Sequence, residues 1–397
     1  MIRITDERNC CGCAACTKVC PTNCIQMKKR SLGHLFADAD ETMCINCGAC
    51  NRVCPMENPI ASTDYPQRVY AAYSINAEVR YRGSSGGMFE TFATHLIGCG
   101  YSVYGAAFND DLKLKCICAT NETELLPLMK SKYLQIDFED KYFDIRMKLL
   151  NGEKVFVIST PCQIAALKRF LTRDYPNLLT ADFFCHGVPS QQFFDECNEY
   201  DEIDKYGGKV RRYTFRVKKK KGSTPHYYSV EITRLGKLIM RTGYYFDSTF
   251  YAFFQRYISL RESCYNCRFA GAGRYADITL GDFHDINKYI KNVNRFDGVS
   301  TVVVNTVHGQ ELLDGCTNML SIYEMSIERL IADKACFSGG TPRPSNRDRF
   351  LIDYKTMRIN ELAAKYVNKK RYINARIYYS LPEIVRKTVK KVYRSVI

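Results

Sequence analysis

Between residues 69 and 331, short β-branched runs alternate with segments whose apolar residues recur at helical spacing. KVFVIST (residues 154–160) has the continuous apolar character of a buried strand. PCQIAALKRFL, which follows, has proline in its first turn and apolar residues at three- and four-residue intervals, and predicts a helix. LTADFF, ending just before Cys185, and GVSTVVVNT (residues 298–306) predict further strands. VRRYTFRVKKKKGSTPHYYSVEI predicts a hairpin with its tip at residues 218–222, where the lysines are expected to be solvated. NPIASTDYPQ (residues 58–67) breaks the pattern with two prolines and small polar residues and reads as a linker. The expected organisation is therefore a small module over 1–60, a mixed α+β or α/β layer over 65–345, and a helical, basic tail over 346–397.

Composition narrows the class. The chain has 397 residues, of which 46% are hydrophobic, enough for two or three domains with a sizeable core. No run of about eighteen apolar residues suggests a bilayer span. Twenty cysteines with no export signal point to a reducing, cytoplasmic compartment. The net charge of +15 is uneven. Residues 1–60 hold seven basic and six acidic side chains, whereas residues 365–397 hold ten basic and one acidic.

The cysteines carry the most specific chemistry. Cys10, Cys13, Cys16 and Cys20 follow the C-x2-C-x2-C-x3-C-P spacing, and Cys44, Cys47, Cys50 and Cys54 repeat it, each run ending in proline. This is the spacing of two-cluster bacterial ferredoxins, in which the fourth cysteine of each run ligates the other cluster. One 4Fe-4S cluster is thus expected on Cys10, Cys13, Cys16 and Cys54, the other on Cys44, Cys47, Cys50 and Cys20. Cys11 and Cys24 fall outside the pattern and read as small packed side chains. A disulfide scaffold suits a small secreted chain, and zinc prefers isolated pairs of cysteines, so neither matches the doubled run. The radical spacing C-x3-C-x2-C is absent.

Further along, Ser84, Ser85, Gly86 and Gly87 precede a helical segment. Glycines there allow close approach of backbone amides to a phosphate, although a glycine turn that only caps the helix fits the same residues. The segment is neither a Walker loop nor a GxGxxG fingerprint. Cys162, at a strand-to-helix turn, Cys185, just past a strand, and the CxxC pair Cys264 and Cys267 could assemble a third four-thiolate site, or be buried hydrophobes.

SSGG (84–87), SKYLQ (131–135), TPCQIAALK (160–168), CHGVPS (185–190), the CxxC and RYADITLGDF (274–283) occur in one order, and together they resemble the coenzyme F420 hydrogenase/dehydrogenase beta subunit family over residues 65–345. The resemblance implies an FAD, a further 4Fe-4S cluster, and electron or hydride exchange with a deazaflavin or another acceptor. It places Ser84, Ser85, Gly86 and Gly87 against the flavin nucleotide and makes Lys132 and Gln163 flavin-pocket candidates, since a cation or amide near the ring would stabilise reduced flavin. It also makes Cys162, Cys185, Cys264 and Cys267 the third cluster's ligands. The family commonly has tryptophan after GDF; here His284 follows, which puts the usual substrate in doubt.

In the tail, SLPEIVRKTVKKVYRSVI (residues 380–397) predicts a basic amphipathic helix, suited to the anionic inner face of a membrane or to docking on protein. No recognised module accompanies the charge, so nucleic acid is not an expected partner. The expected protein is an iron–sulfur flavoprotein oxidoreductase passing electrons between a ferredoxin-like or other redox partner, its clusters, FAD and a small acceptor such as coenzyme F420 or ferredoxin. The alternative is an electron-transfer subunit whose substrate site lies on a partner.

Overall fold

The computed structural model describes residues 2–60, 65–138, 140–218, 227–283, 286–291, 293, 297–328, 339–367, 377, 381 and 385. The N-terminal module contains helix α1 (Ala15–Lys18), an antiparallel pair β1 (Ile25–Lys29) and β2 (Leu35–Ala39), and helix α2 (Ala49–Val53). The two cysteine runs adopt the same backbone. Gly12 and Ala14 in the first, and Asn46 and Gly48 in the second, all have left-handed φ, at 69°, 62°, 54° and 73°. The doubled spacing is therefore a doubled local structure.

The body is built on β3 (Arg68–Ser74), β4 (Tyr101–Phe108), β5 (Leu114–Ala119), β6 (Lys154–Ile158), β7 (Leu178–Phe183), β11 (Ile278–Asp282), β12 (Ser300–Val304) and β13 (Leu320–Met325). They form one sheet in the order β13-β3-β12-β11-β7-β6-β4-β5. The central β4, β6, β7 and β11 run parallel, and antiparallel strands close both sides. Val155, Phe156 and Val157 of β6 are fully buried, as the continuous apolar run requires of a strand covered on both faces. The helix Pro161–Leu171 starts at the proline and crosses from β6 to β7. A second antiparallel sheet, inserted between β7 and β11, joins β8 (Lys209–Val217), β9 (Tyr227–Arg234) and β10 (Lys237–Tyr244). The expected strands at 154–160, 179–184 and 298–306, the helix at 161–171 and the β8–β9 hairpin are all present. The tip lysine Lys218, expected to be solvated, is instead buried, because three backbone carbonyls converge on its ammonium, as described below.

One hydrophobic core runs without a break from the N-terminal module into the body. Side chains of the body reach into the module. Gln135 Nε2 donates to the carbonyls of Cys11 and Gly12 at 3.1 and 2.8 Å, Tyr142 donates to that of Cys13 at 2.9 Å, and Arg268 to that of Met56 at 2.6 Å. Residues 347–367 also belong to the body. Helices Arg347–Tyr354 and Ile359–Tyr366 bury Phe350 and Leu362 completely in the same core. The basic helix expected over 380–397 lies outside the described residues except for Leu381 and Val385. No helix among the described residues is long and apolar enough to cross a membrane.

His34 is buried between module and body, and burial followed by the guanidiniums of Arg261 and Arg347 holds its imidazole well below the usual histidine range. The folded state therefore keeps it neutral, while the unfolded chain protonates it near pH 6.5. Stability associated with this residue is present above pH 6.5 and falls by about 1.4 kcal/mol per unit as pH drops below it. His34→Gln should flatten that acid limb in anaerobic denaturation measured from pH 7.5 to 5.5; parallel curves for both proteins would refute this.

Candidate iron–sulfur and cofactor sites

The two cysteine runs fold into two groups of thiols. Cys20, Cys44, Cys47 and Cys50 line a single cavity together with Cys24, whose sulfur lies 3.3 Å from that of Cys20. Cys10, Cys13, Cys16 and Cys54 form the other group: burial pushes the Cys16 thiol well up, and the nearby charges of Cys13, Cys10, Cys54 and Cys50 add to this. Burial, then Cys13, pushes Cys54 up to about 12. The fourth cysteine of each run thus stands with the other run, as the spacing predicts. The groups differ in exposure. Cys10, Cys13, Cys16 and Cys54 are buried, whereas Cys47 is exposed and flanked by exposed Met43 and Ile45.

The body supplies a third group. Cys162 lies in the first turn after β6, and Cys185 two residues after β7. The carboxyl ends of adjacent parallel strands are where open α/β sheets place ligands. The short helix Glu262–Tyr265 and the residues after it bring Cys264 and Cys267 to the same place, and all four line one cavity with Arg261, Arg268 and Arg274. The thiols sense each other. Burial, then Cys267, pushes Cys264 up to about 12; burial, then Cys162, pushes Cys267 up to about 11. Cys185, Cys264 and Cys267, whose thiols are held up, would therefore have to lose protons to become ligands, and only a strongly cationic centre compensates that charge. Among the described residues no three His, Cys, Asp or Glu side chains converge tightly enough for a single metal ion. Thiols spaced around a cubane have no need to converge in that way. The donor set fits a 4Fe-4S cluster.

Two further residues in this region carry no ligand spacing. Cys11 lines the third cavity, and the neighbouring thiols of Cys13 and Cys162, followed by burial, push its own thiol well up. Its neighbouring thiol is in turn the largest influence drawing Cys162 down, to about 7. Arg261 is fully buried. It donates to the carbonyl of Cys10 at 2.9 Å, to Gln135 Oε1 at 3.0 Å and to the carbonyl of Leu35, and its guanidinium lies 4.3 Å from the Phe36 ring centroid. Neither is legible in the sequence, because an arginine before a helix and an extra cysteine have no distinguishing neighbours.

The Ser84–Gly87 segment precedes the helix Met88–Gly98. Its glycines answer first to the protein. Gly86 N donates to Ser300 Oγ at 2.9 Å, and a Cβ at Gly86 would lie 2.6 Å from the Ala72 carbonyl and 2.9 Å from Ser300 N. Gly86→Ala should therefore cost about 2–3 kcal/mol by forcing β3 and β12 apart; a denaturation midpoint within error of the parent would exclude this.

Cations surround the segment. A register shift in β8 between Thr214 and Val217 coincides with φ of 57° at Arg216 and turns its guanidinium inward. Arg216 pairs with Asp282 at 2.7 and 3.0 Å and donates to the Ser84 carbonyl at 2.9 Å. Lys218 donates to the carbonyls of Arg80 at 2.6 Å, Asp297 at 2.8 Å and Ser85; burial, then Lys130, Arg216 and Arg80, lowers it to about 7. Burial, then Arg216, also lowers Lys130. Asp282 holds Arg216 well up, whereas the two lysines are both lowered beside it, and a partly buried space that depresses ammonium groups in this way favours an anion. Sequence reasoning misses these three because their tertiary convergence has no signature along the chain. Ser131 N donates to Ser84 Oγ at 2.8 Å, which brings the SKYLQ stretch beside the segment. Lys132 itself turns back to the carbonyls of Pro127 and Met129, at 2.8 and 2.6 Å, and burial, then Lys130, lowers it to about 7. Gln163 is buried in the helix Pro161–Leu171, where its Oε1 accepts from Tyr142 at 3.4 Å, so its partner is the residue that holds Cys13. His284 lies outside the described residues.

This arrangement, thiol groups packed in series against the carboxyl ends of a mixed sheet, is that of an iron–sulfur electron-transfer protein. Residues 9–58 match the 4Fe-4S dicluster domain, and residues 152–329 match the family described as the C terminus of the coenzyme F420 hydrogenase/dehydrogenase beta subunit. Among solved structures the protein is similar to a chain of the F420-reducing [NiFe] hydrogenase complex from Methanosarcina barkeri, with a TM-score of 0.46 and 17% identity, covering 78% of this chain and 94% of that one. None of the curated proteins matches.

Proposed function

We propose that the chain is an iron–sulfur flavoprotein that takes electrons from a redox partner protein through three 4Fe-4S clusters to an FAD, and delivers them to a small acceptor such as a deazaflavin. The observation that carries this reading is the third thiol cavity, built on the body and touching the first cysteine run through Cys11. When bound, the clusters supply one-electron steps and the flavin pairs electrons for a two-electron acceptor.

The residues divide the work. Cys44, Cys47, Cys50 and Cys20 would hold the outermost cluster, where exposed Cys47, Met43 and Ile45 offer a partly apolar face to the partner. Cys10, Cys13, Cys16 and Cys54 would hold the second, in the buried seam between module and body. Cys162, Cys185, Cys264 and Cys267 would hold the third. Arg216, Lys218 and Lys130 would bind the anionic part of the FAD, with Ser84, Ser85 and Gly87 forming the wall of its pocket and Lys132 supplying a nearby amine of lowered pKa. Gly86 keeps that wall against the sheet, and Gln163 holds Tyr142 against the first run. Anaerobic purification should give about twelve irons and one FAD per chain, and a reduced donor protein should bleach the flavin absorbance. About eight irons, or no flavin, would overturn this assignment.

A further inference from the structure

Gly340, Thr341 and Arg343 lie beyond residues 152–329, which match the beta subunit family, and all three pack on segments that carry the third group of thiols. Gly340 lies against the turn of the CxxC pair. A Cβ there would stand 2.9 Å from the carbonyl oxygens of Cys264 and Tyr265 and from the amide nitrogen of Cys267, so only a residue without a side chain permits this approach. The next residue, Thr341, donates its hydroxyl to the carbonyl of His186, one residue past Cys185, at 2.6 Å. Arg343 then takes hold of the short helix Glu262–Tyr265. Its Nε donates to Glu262 Oε1 at 2.5 Å, and its other two nitrogens donate to Asp348 at 3.0 and 2.6 Å. Arg347, fully buried, donates to the carbonyls of Ile258 and of Leu260, the latter at 2.8 Å, and so fixes the chain just ahead of that helix.

The third group of thiols is unevenly supported. Cys162 and Cys185 stand at the ends of β6 and β7, and the sheet holds them. Cys264 and Cys267 sit on a four-residue helix and the loop after it, an element too short to keep its shape alone. A cluster needs all four sulfurs at fixed positions, so the CxxC turn requires an outside support. We propose that residues 340–343 are a strap that positions Cys264 and Cys267 relative to Cys185, and that this segment beyond the family match completes the third cluster's site. The proposal rests on the third cluster assigned above. Gly340 and Thr341 are adjacent, so a single peptide unit sets the spacing between the CxxC turn and the carbonyl next to Cys185. Arg343 prevents that unit from lifting away. All three are positioning residues, acting through the backbone of the segments that bear the cysteines.

The test uses the full chain purified without oxygen, as the unaltered protein and as Thr341→Val, Thr341→Ser and Gly340→Ala. Iron analysis, low-temperature electron paramagnetic resonance and timed release of iron to a ferrous chelator are compared. The resonance that a Cys264→Ser, Cys267→Ser double variant lacks marks the third cluster. Thr341→Val keeps the shape of the side chain without the donor. It should release the third cluster's irons about fivefold faster and shift that cluster's resonance, while the N-terminal irons leave at the parent rate. Thr341→Ser retains the hydroxyl and should return both readouts to those of the parent. Gly340→Ala pushes the strap off the turn and should leave about eight irons per chain. About twelve irons, with parent release rates and resonances in both Thr341→Val and Gly340→Ala, would overturn the proposal and leave the third cluster standing. Equal acceleration of all clusters would overturn it by reducing the strap to a contribution to general stability. About eight irons in the unaltered protein would remove the third cluster and the proposal together.

Discussion

Replacing Cys264 and Cys267 together by serine should remove about four irons per chain and leave the spectra of the two N-terminal clusters intact. The ligand sets proposed for the N-terminal clusters come from residues 10–54 alone, and no residue of the helix Glu262–Tyr265 is among them. The body's four thiols, each half-buried, line one cavity, and removing two leaves Cys162 and Cys185 short of a cluster's ligand set. Serine is close to isosteric and adds no bulk near Gly187, where a Cβ would already lie 2.9 Å from that of Cys264. Reduction of the flavin by the donor protein should fail in this variant, because the relay beyond Cys11 is missing, whereas dithionite should still reduce the N-terminal clusters. Iron analysis and low-temperature spectra decide the matter; iron remaining near twelve would show that the body cavity holds no cluster on these thiols.

Arg261→Met should have the largest effect on stability, on the order of 3–5 kcal/mol. The guanidinium is fully buried and is the polar pin of the seam between the N-terminal module and the body. It satisfies the carbonyls of Cys10 and Leu35 and the amide oxygen of Gln135, and it stacks on Phe36. Methionine fills the volume but leaves the buried Cys10 carbonyl and two part-buried acceptors with fewer donors, each costing about 1–3 kcal/mol. The cost is expected in the docking of the module, so cluster absorbance should be lost at lower denaturant concentration than in the parent. Arg261→Lys, which keeps the charge but loses the fork, should fall between the two. An unchanged midpoint for Arg261→Met would mean that the seam is held by the apolar core alone.

Much of this protein is legible in its sequence because the relevant chemistry is local. The C-x2-C-x2-C-x3-C-P runs dictate which thiols share a helical turn, and the matched left-handed residues at Gly12 and Asn46, and at Ala14 and Gly48, show that identical spacing produces identical turns. β6, the helix after it and β7 are equally readable, since a β-branched run followed by proline and an amphipathic repeat has few other ways to fold. Lys218 escapes for the opposite reason. A lysine in a run of lysines is indistinguishable from its neighbours until the carbonyls of Arg80, Ser85 and Asp297 converge on it. Residues 347–367 look like the start of a separate tail along the chain, because the surrounding charge hides the burial of Phe350 and Leu362 in the body's core.

The chain's order alone singled out the eight N-terminal thiols, because ligand spacing is set by backbone geometry over a few residues, and it made Cys162, Cys185, Cys264 and Cys267 candidates through their places beside strands, the CxxC pair and the family resemblance. The tertiary structure decided that the last four meet in one cavity, that Cys11 and Arg261 join that cavity to the first run, and that Arg216, Lys218 and Lys130 gather around Ser84. Those relations span up to about 250 residues of chain, and only sheet order and core packing bring such distant groups within hydrogen-bonding reach.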